Sequence, residues 1–177
     1  MNNNLRIIEP IPLHADHFSR YGDVIDASKP PLLINHEYTK RYDDLAEIDV
    51  LKNGGRMLVN IFRSTPLPLP LSIRMMERHP LSSQAFVPLS QEPYLVVVAP
   101  PGDFFEENIE VFLASGNQGV NYRAGTWHHF LLALNSVSDF LVIDRGSDSK
   151  SADDKNCDEV TLSGDSKIKY SQGGIND

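Results

Sequence analysis

From Arg56 onward the chain runs through short apolar stretches, "RMLVNIF", "LSIRMMERH", "QAFVPL", "YLVVVA", "IEVFLA", "HFLLAL" and "DFLVID". Turn formers such as "TPLPLP", "SQEP", "PPGD" and "SGNQG" lie between them. Runs rich in β-branched and aromatic residues, punctuated at intervals of roughly 8–12 residues, read as strands of an antiparallel sandwich or barrel. No stretch keeps a helical period over several turns, so the pattern predicts an all-β fold. The exception is "PLHADHFSRYG", which predicts one short N-terminal helix, with Pro12 before it and Gly22 as its C-cap. The segment "GSDSKSADDKNCDE" has almost nothing to bury and is expected to be a solvated loop or a partly disordered excursion.

Alternation along the strands sorts the polar residues. In "LSIRMMERH", Leu71, Ile73, Met75, Glu77 and His79 share one face, and Ser72, Arg74, Met76 and Arg78 the other. With the first face inward, Glu77 and His79 stand at the mouth of a barrel, where a buried charge needs a cation, a partner or a ligand. With the strand leaving the sheet there, both stand in water. In "RMLVNIFR", Arg63 shares the face of Met57, Val59 and Ile61. It is either an interior fork of donors for a carboxylate or a strand-end arginine in solvent. In "HHFLLAL" alternation does not decide whether His128 or His129 points inward. A long apolar edge strand such as "YLVVVA" would need covering, as a dimer surface would provide.

Composition narrows the partners. At 177 residues the chain is the size of one domain, spanning 1–177. A formal charge of -8 without a basic block argues against nucleic acid or an anionic membrane as partner and points to a small molecule. Cys157 is the only cysteine, so no intrachain disulfide forms and a reducing, cytoplasmic setting is expected. The start "MNNNLRIIEP" lacks the regions of a secretory signal, and no apolar run approaches the roughly 20 residues of a membrane span. No Ser-His-Asp or Cys-His arrangement is readable, which argues against a covalent hydrolase.

Two stretches, "ERHPLSSQ" and "RAGTWH", are similar to the two cupin motifs. Glu77 stands at the first motif histidine, His79 at the second, Gln84 at the motif carboxylate and His128 at the last histidine. This resemblance implies either a divalent transition metal, its identity open, held by Glu77, His79, Gln84 and His128, or a metal-free site in which His79 or Glu77 is the base directly, and in both cases no organic cofactor. Further, "YGDVID", "ERHPLSSQAFVPL", "YLVVVA", "GNQGVNYRAGTWHHFLLAL" and "DFLVIDRG", in that order, resemble the ureidoglycolate lyase family. That resemblance implies a cupin-type double-stranded β-helix, a jelly-roll barrel, forming a cytosolic homodimer that splits ureidoglycolate into glyoxylate and urea during allantoin breakdown. For that chemistry His79, Glu77 and His128 are the expected catalytic residues. Arg63 is the expected carboxylate anchor, Gln84, His129, Asp144 and Arg145 further substrate-side residues, and Trp127 chiefly a packing residue at the turn beside them. Two other readings remain at this stage, an ammonia-releasing ureidoglycolate hydrolase and a cupin that binds a small carboxylic acid without turnover.

Overall fold

The computed structural model describes residues 5–148 and 155–171. Among the described residues the strands assemble into sheets of seven, five, three and two strands. The molecule is nearly all β, the class that the turn-punctuated pattern predicts, and its packed sheets are compatible with a cupin-type fold.

The centre is the strand Tyr94–Ala99, all six of whose residues are buried. It pairs antiparallel with Glu110–Ala114 on one side, and with Trp127–His128 and Leu132–Ala133 on the other. Tyr94, Val96 and Val98 enter a core shared with Phe86, Tyr122, Phe140 and Val142 of the five-stranded sheet. Leu95, Val97 and Ala99 enter a second core with Ile73, Met76, Trp127, Ile8 and Ile168, closed by the three-stranded sheet. The seven-stranded sheet is therefore a middle layer. "YLVVVA" is a central strand rather than an edge, and burial on both faces explains its unbroken apolarity.

Several elements depart from the sequence expectation. The helix is only Ala15–Phe18, with Phe18 buried at its end. Gly22 does not cap it but opens the strand Gly22–Ile25, where a Cβ would lie 1.8 Å from the Asn121 carbonyl oxygen. "LSIRMMERH" is two strands, Leu71–Ser72 in the three-stranded sheet and Met75–Arg78 in the seven-stranded one. Ile73 and Met76, of opposite parity, both reach the second core, which an unbroken strand forbids. "HFLLAL" is likewise interrupted, with strands at Trp127–His128 and Leu132–Ala133 only. Of the polar segment expected as a loop, 149–154 lies outside the described residues, while Asp158–Thr161 forms a strand paired with Met75–Arg78.

The strand Arg56–Ser64 ends the five-stranded sheet, paired along its whole length with Ser138–Gly146. Its Met57, Val59 and Ile61 are 50%, 63% and 56% exposed, so this apolar face points outward, and Arg63 goes with it. Among the described residues no helix is long and apolar enough to cross a membrane.

Candidate active site

The strand Met75–Arg78 pairs with Trp127–His128 so that Glu77 stands opposite His128. Parity then sorts the neighbours into two sets. Arg78 and Trp127 point into the second core's side, where the guanidinium lies 4.6 Å from the indole centroid and the indole N–H donates to the Gly102 carbonyl at 3.0 Å. Glu77 and His128 point the other way, into a cavity of about 450 Å³ also lined by Phe62, Ser64, Gln84 and Phe130. Behind it, a pocket of about 300 Å³ is lined by His79, Gln84, Asp144 and Asn156. Gln84, the first residue of the strand Gln84–Pro88, belongs to both.

His128 is buried and stacks on Tyr122, with ring centroids 4.5 Å apart and planes 9° apart. Its Nδ1 donates to the His129 carbonyl at 3.2 Å, and Nδ1 of His79 donates to the Asn156 carbonyl at 2.6 Å. A carbonyl only accepts, so each neutral ring carries its proton on Nδ1 and leaves Nε2 with a bare lone pair. Among the described residues both Nε2 atoms are buried without a hydrogen-bond partner, and so is Oε1 of Gln84. The Gln84 amide is instead engaged with Asp144, which also accepts from Asn60 at 3.1 Å. Ligand-type atoms of Glu77, His79 and His128 all lie within 4.8 Å of one another. Nδ1 of His128 also lies 3.8 Å from the Glu77 carboxylate, but the two Nε2 lone pairs and Gln84 Oε1 meet no donor among the described residues, a costly arrangement unless a cation or a donor enters.

Burial sets the charges. It pushes the His128 imidazole down to about 3, with His79 beside it acting in the same direction, so His128 is neutral around pH 7. Burial raises the Glu77 carboxyl above its ordinary range against the opposing pull of His79, and raises that of Asp144 as well.

Four of the residues singled out from sequence, Glu77, His79, Gln84 and His128, come together here. Arg63 lines the rim of the same cavity, with its side chain 71% exposed and bound by two hydrogen bonds, 2.7 and 2.8 Å, to Asp139. Trp127 sits on the opposite face of the sheet, and its side chain packs in the second core. Of the histidine pair, His128 enters the cavity while His129 folds onto the Phe130 carbonyl at 3.0 Å. Asp144 continues the inward face of Phe140 and Val142 to the smaller pocket, whereas Arg145 donates to the Lys52 and Asn53 carbonyls.

Three neighbours escaped the sequence reading. Tyr122 was recoverable, since alternation in "GVNY" sets it on the face of Val120. Asn60 lies on the opposite face of its strand from Met57, Val59 and Ile61, the less apolar side, which is the one the structure turns inward. Asn156 opens "NCD", similar to the family's tail motif, but that stretch pointed to no role for it.

Comparison with known proteins fixes the lineage. The family model for ureidoglycolate lyase matches residues 5–169. The chain belongs to the ureidoglycolate lyase family. Among relatives, the ureidoglycolate lyase of Burkholderia mallei is 52% identical over 86% of this chain and 89% of its own. Those of Azotobacter vinelandii and Pseudomonas syringae pv. tomato are 46% and 43% identical, over 93% and 88% of this chain and 97% and 89% of theirs. The family match spans Glu77, His79, Gln84, Tyr122, His128 and Asn156 alike.

Proposed function

We propose that this chain is a lyase that splits ureidoglycolate into glyoxylate and urea, in the breakdown of allantoin. One substrate carbon carries a hydroxyl, a carboxylate and the ureido nitrogen. Cleavage neither changes oxidation state nor consumes water. The hydroxyl gives up its proton, its oxygen closes the new C=O bond, and the C–N pair leaves on the urea nitrogen, which takes a proton. The observation that carries the reading is the cluster of unpartnered acceptors between the 450 Å³ cavity and the pocket behind it, in a chain of this family.

That cluster suits a divalent transition ion. Nε2 of His79, Nε2 of His128, the Glu77 carboxylate and Oε1 of Gln84 would hold it, a mixed nitrogen and oxygen set. Bound there, such an ion supplies positive charge for the substrate's carboxylate and hydroxyl oxygens and acidifies the hydroxyl. Glu77, which lines the cavity, takes the hydroxyl proton on the carboxylate oxygen not engaged with the ion and returns it to the departing nitrogen. Gln84 is steadied by Asp144, and Phe62, Phe86 and Leu131 give the cavity apolar walls that keep water from the breaking bond.

The chain acts as one domain, supported by the middle sheet that serves both cores. It works as a homodimer in the cytoplasm. The exposed apolar face and free edge of Arg56–Ser64 favour a second copy there, and the lone cysteine favours a reducing compartment. The test is a product assay after chelation. Urea release should fall on metal removal and return with one divalent metal. Ammonia as the nitrogen product would favour the hydrolase, and glyoxylate binding without turnover under every metal would favour a binding protein.

A further inference from the structure

The polar run ahead of Cys157 offers nothing to a core, yet Asn156 makes three ordered hydrogen bonds to the turn that follows the Met75–Arg78 strand. Its backbone carbonyl accepts from Nδ1 of His79 at 2.6 Å. Its side-chain Oδ1 accepts from the Leu81 amide at 2.8 Å, and its Nδ2 donates to Ser82 Oγ at 2.8 Å. The turn is itself closed by the Ser82 amide on the His79 carbonyl. Asn156 and the 79–82 turn therefore form a ring of bonds in which the carbonyl cannot move relative to the imidazole without breaking a side-chain bond.

We propose that Asn156 is a positioning residue: its carboxamide pins its own peptide group to the turn, and the pinned carbonyl holds His79 in the Nδ1–H tautomer, which keeps the buried Nε2 lone pair available to the cluster with Glu77 and His128. An imidazole without that clamp can carry its proton on either nitrogen, and one protonated at Nε2 can neither ligate nor accept there. A residue that merely fills space would change stability and leave the tautomer alone. The kinetic consequence rests on the lyase reading; the tautomer does not.

The experiment uses the whole, metal-free protein labelled with nitrogen-15. Long-range proton–nitrogen spectra, assigned with His79→Ala, report which ring nitrogen of His79 is protonated. The wild type is expected to show Nδ1–H only. Asn156→Ala is expected to show a mixture with Nε2–H, and Zn²⁺ used as the probe ion should bind about 10–100-fold more weakly. Asn156→Asp, which can still accept from Leu81 and Ser82, should restore the wild-type tautomer. A wild-type His79 spectrum in Asn156→Ala overturns the proposal. Should that variant fail to fold, Ser82→Ala takes its place, with a partial shift expected and none overturning it. A tautomer shift as stated beside a wild type that releases no urea would refute the lyase and leave the positioning role standing.

Discussion

His79 and His128 lie with ring centroids 5.2 Å apart, each with Nδ1 donating to a backbone carbonyl and, among the described residues, Nε2 buried without a partner. Two imidazoles held alike each keep a buried lone pair unused. With Glu77 opposite His128, the result is a site that attracts a cation and repels none.

The paired Arg63 changes what its removal should do. As an interior anchor it would raise the Michaelis constant on truncation. As an exposed partner of Asp139, Arg63→Ala should leave the Michaelis constant within about threefold and the unfolding midpoint essentially unchanged. Steady-state kinetics and denaturant unfolding check both. A tenfold rise in the Michaelis constant would return Arg63 to the substrate.

His128 should make the metal-free protein acid-sensitive. Its native pKa is pushed down to about 3 from 6.5, so between those values the unfolded chain binds the proton and the native one does not. This contribution is fully present above pH 6.5 and is lost as pH falls, with a slope of about 1.4 kcal/mol per pH unit. Glu77 acts in the opposite sense: its carboxyl is raised on folding, so its contribution is lost as pH rises past the ordinary carboxylate range. Unfolding curves of wild type and His128→Gln between pH 4 and 7 should diverge, the variant losing less stability on acidification. Parallel curves would contradict the burial of a neutral His128.

The free edge of Arg56–Ser64 predicts the oligomer. If the proposed dimer forms there, Ile61→Lys puts a charge in the middle of the strand's apolar outer face, and in sedimentation equilibrium the wild type should sediment as a dimer and the variant as a monomer. A variant that stays dimeric would move the interface elsewhere.

Much of this was legible in the sequence, and the failures have a common cause. Turn chemistry around "YLVVVA" and "DFLVID" located those strands because each is one uninterrupted element. Alternation misplaced Arg63 because it takes the more apolar side of a strand to be the inner one. In Arg56–Ser64 the apolar side faces out, and Leu58, Asn60, Phe62 and Ser64 face in. It also ran through the breaks after Ser72 and His128, where parity resets. The motif spacing survived these errors, because Glu77, His79, Gln84 and His128 meet through pairing of strands rather than through the face assignment of any one. Asn156 was invisible for a different reason: its contribution is a carbonyl and a carboxamide, and neither has a pattern.

The central claim is that the cluster of Glu77, His79 and His128 cleaves the C–N bond. It is tested most directly by measuring urea and glyoxylate released from ureidoglycolate by the metal-replete wild type beside His79→Ala and His128→Ala. The account predicts equal amounts of both products from the wild type and rates at least about 100-fold lower in each folded variant. Near-normal rates in both variants would contradict it.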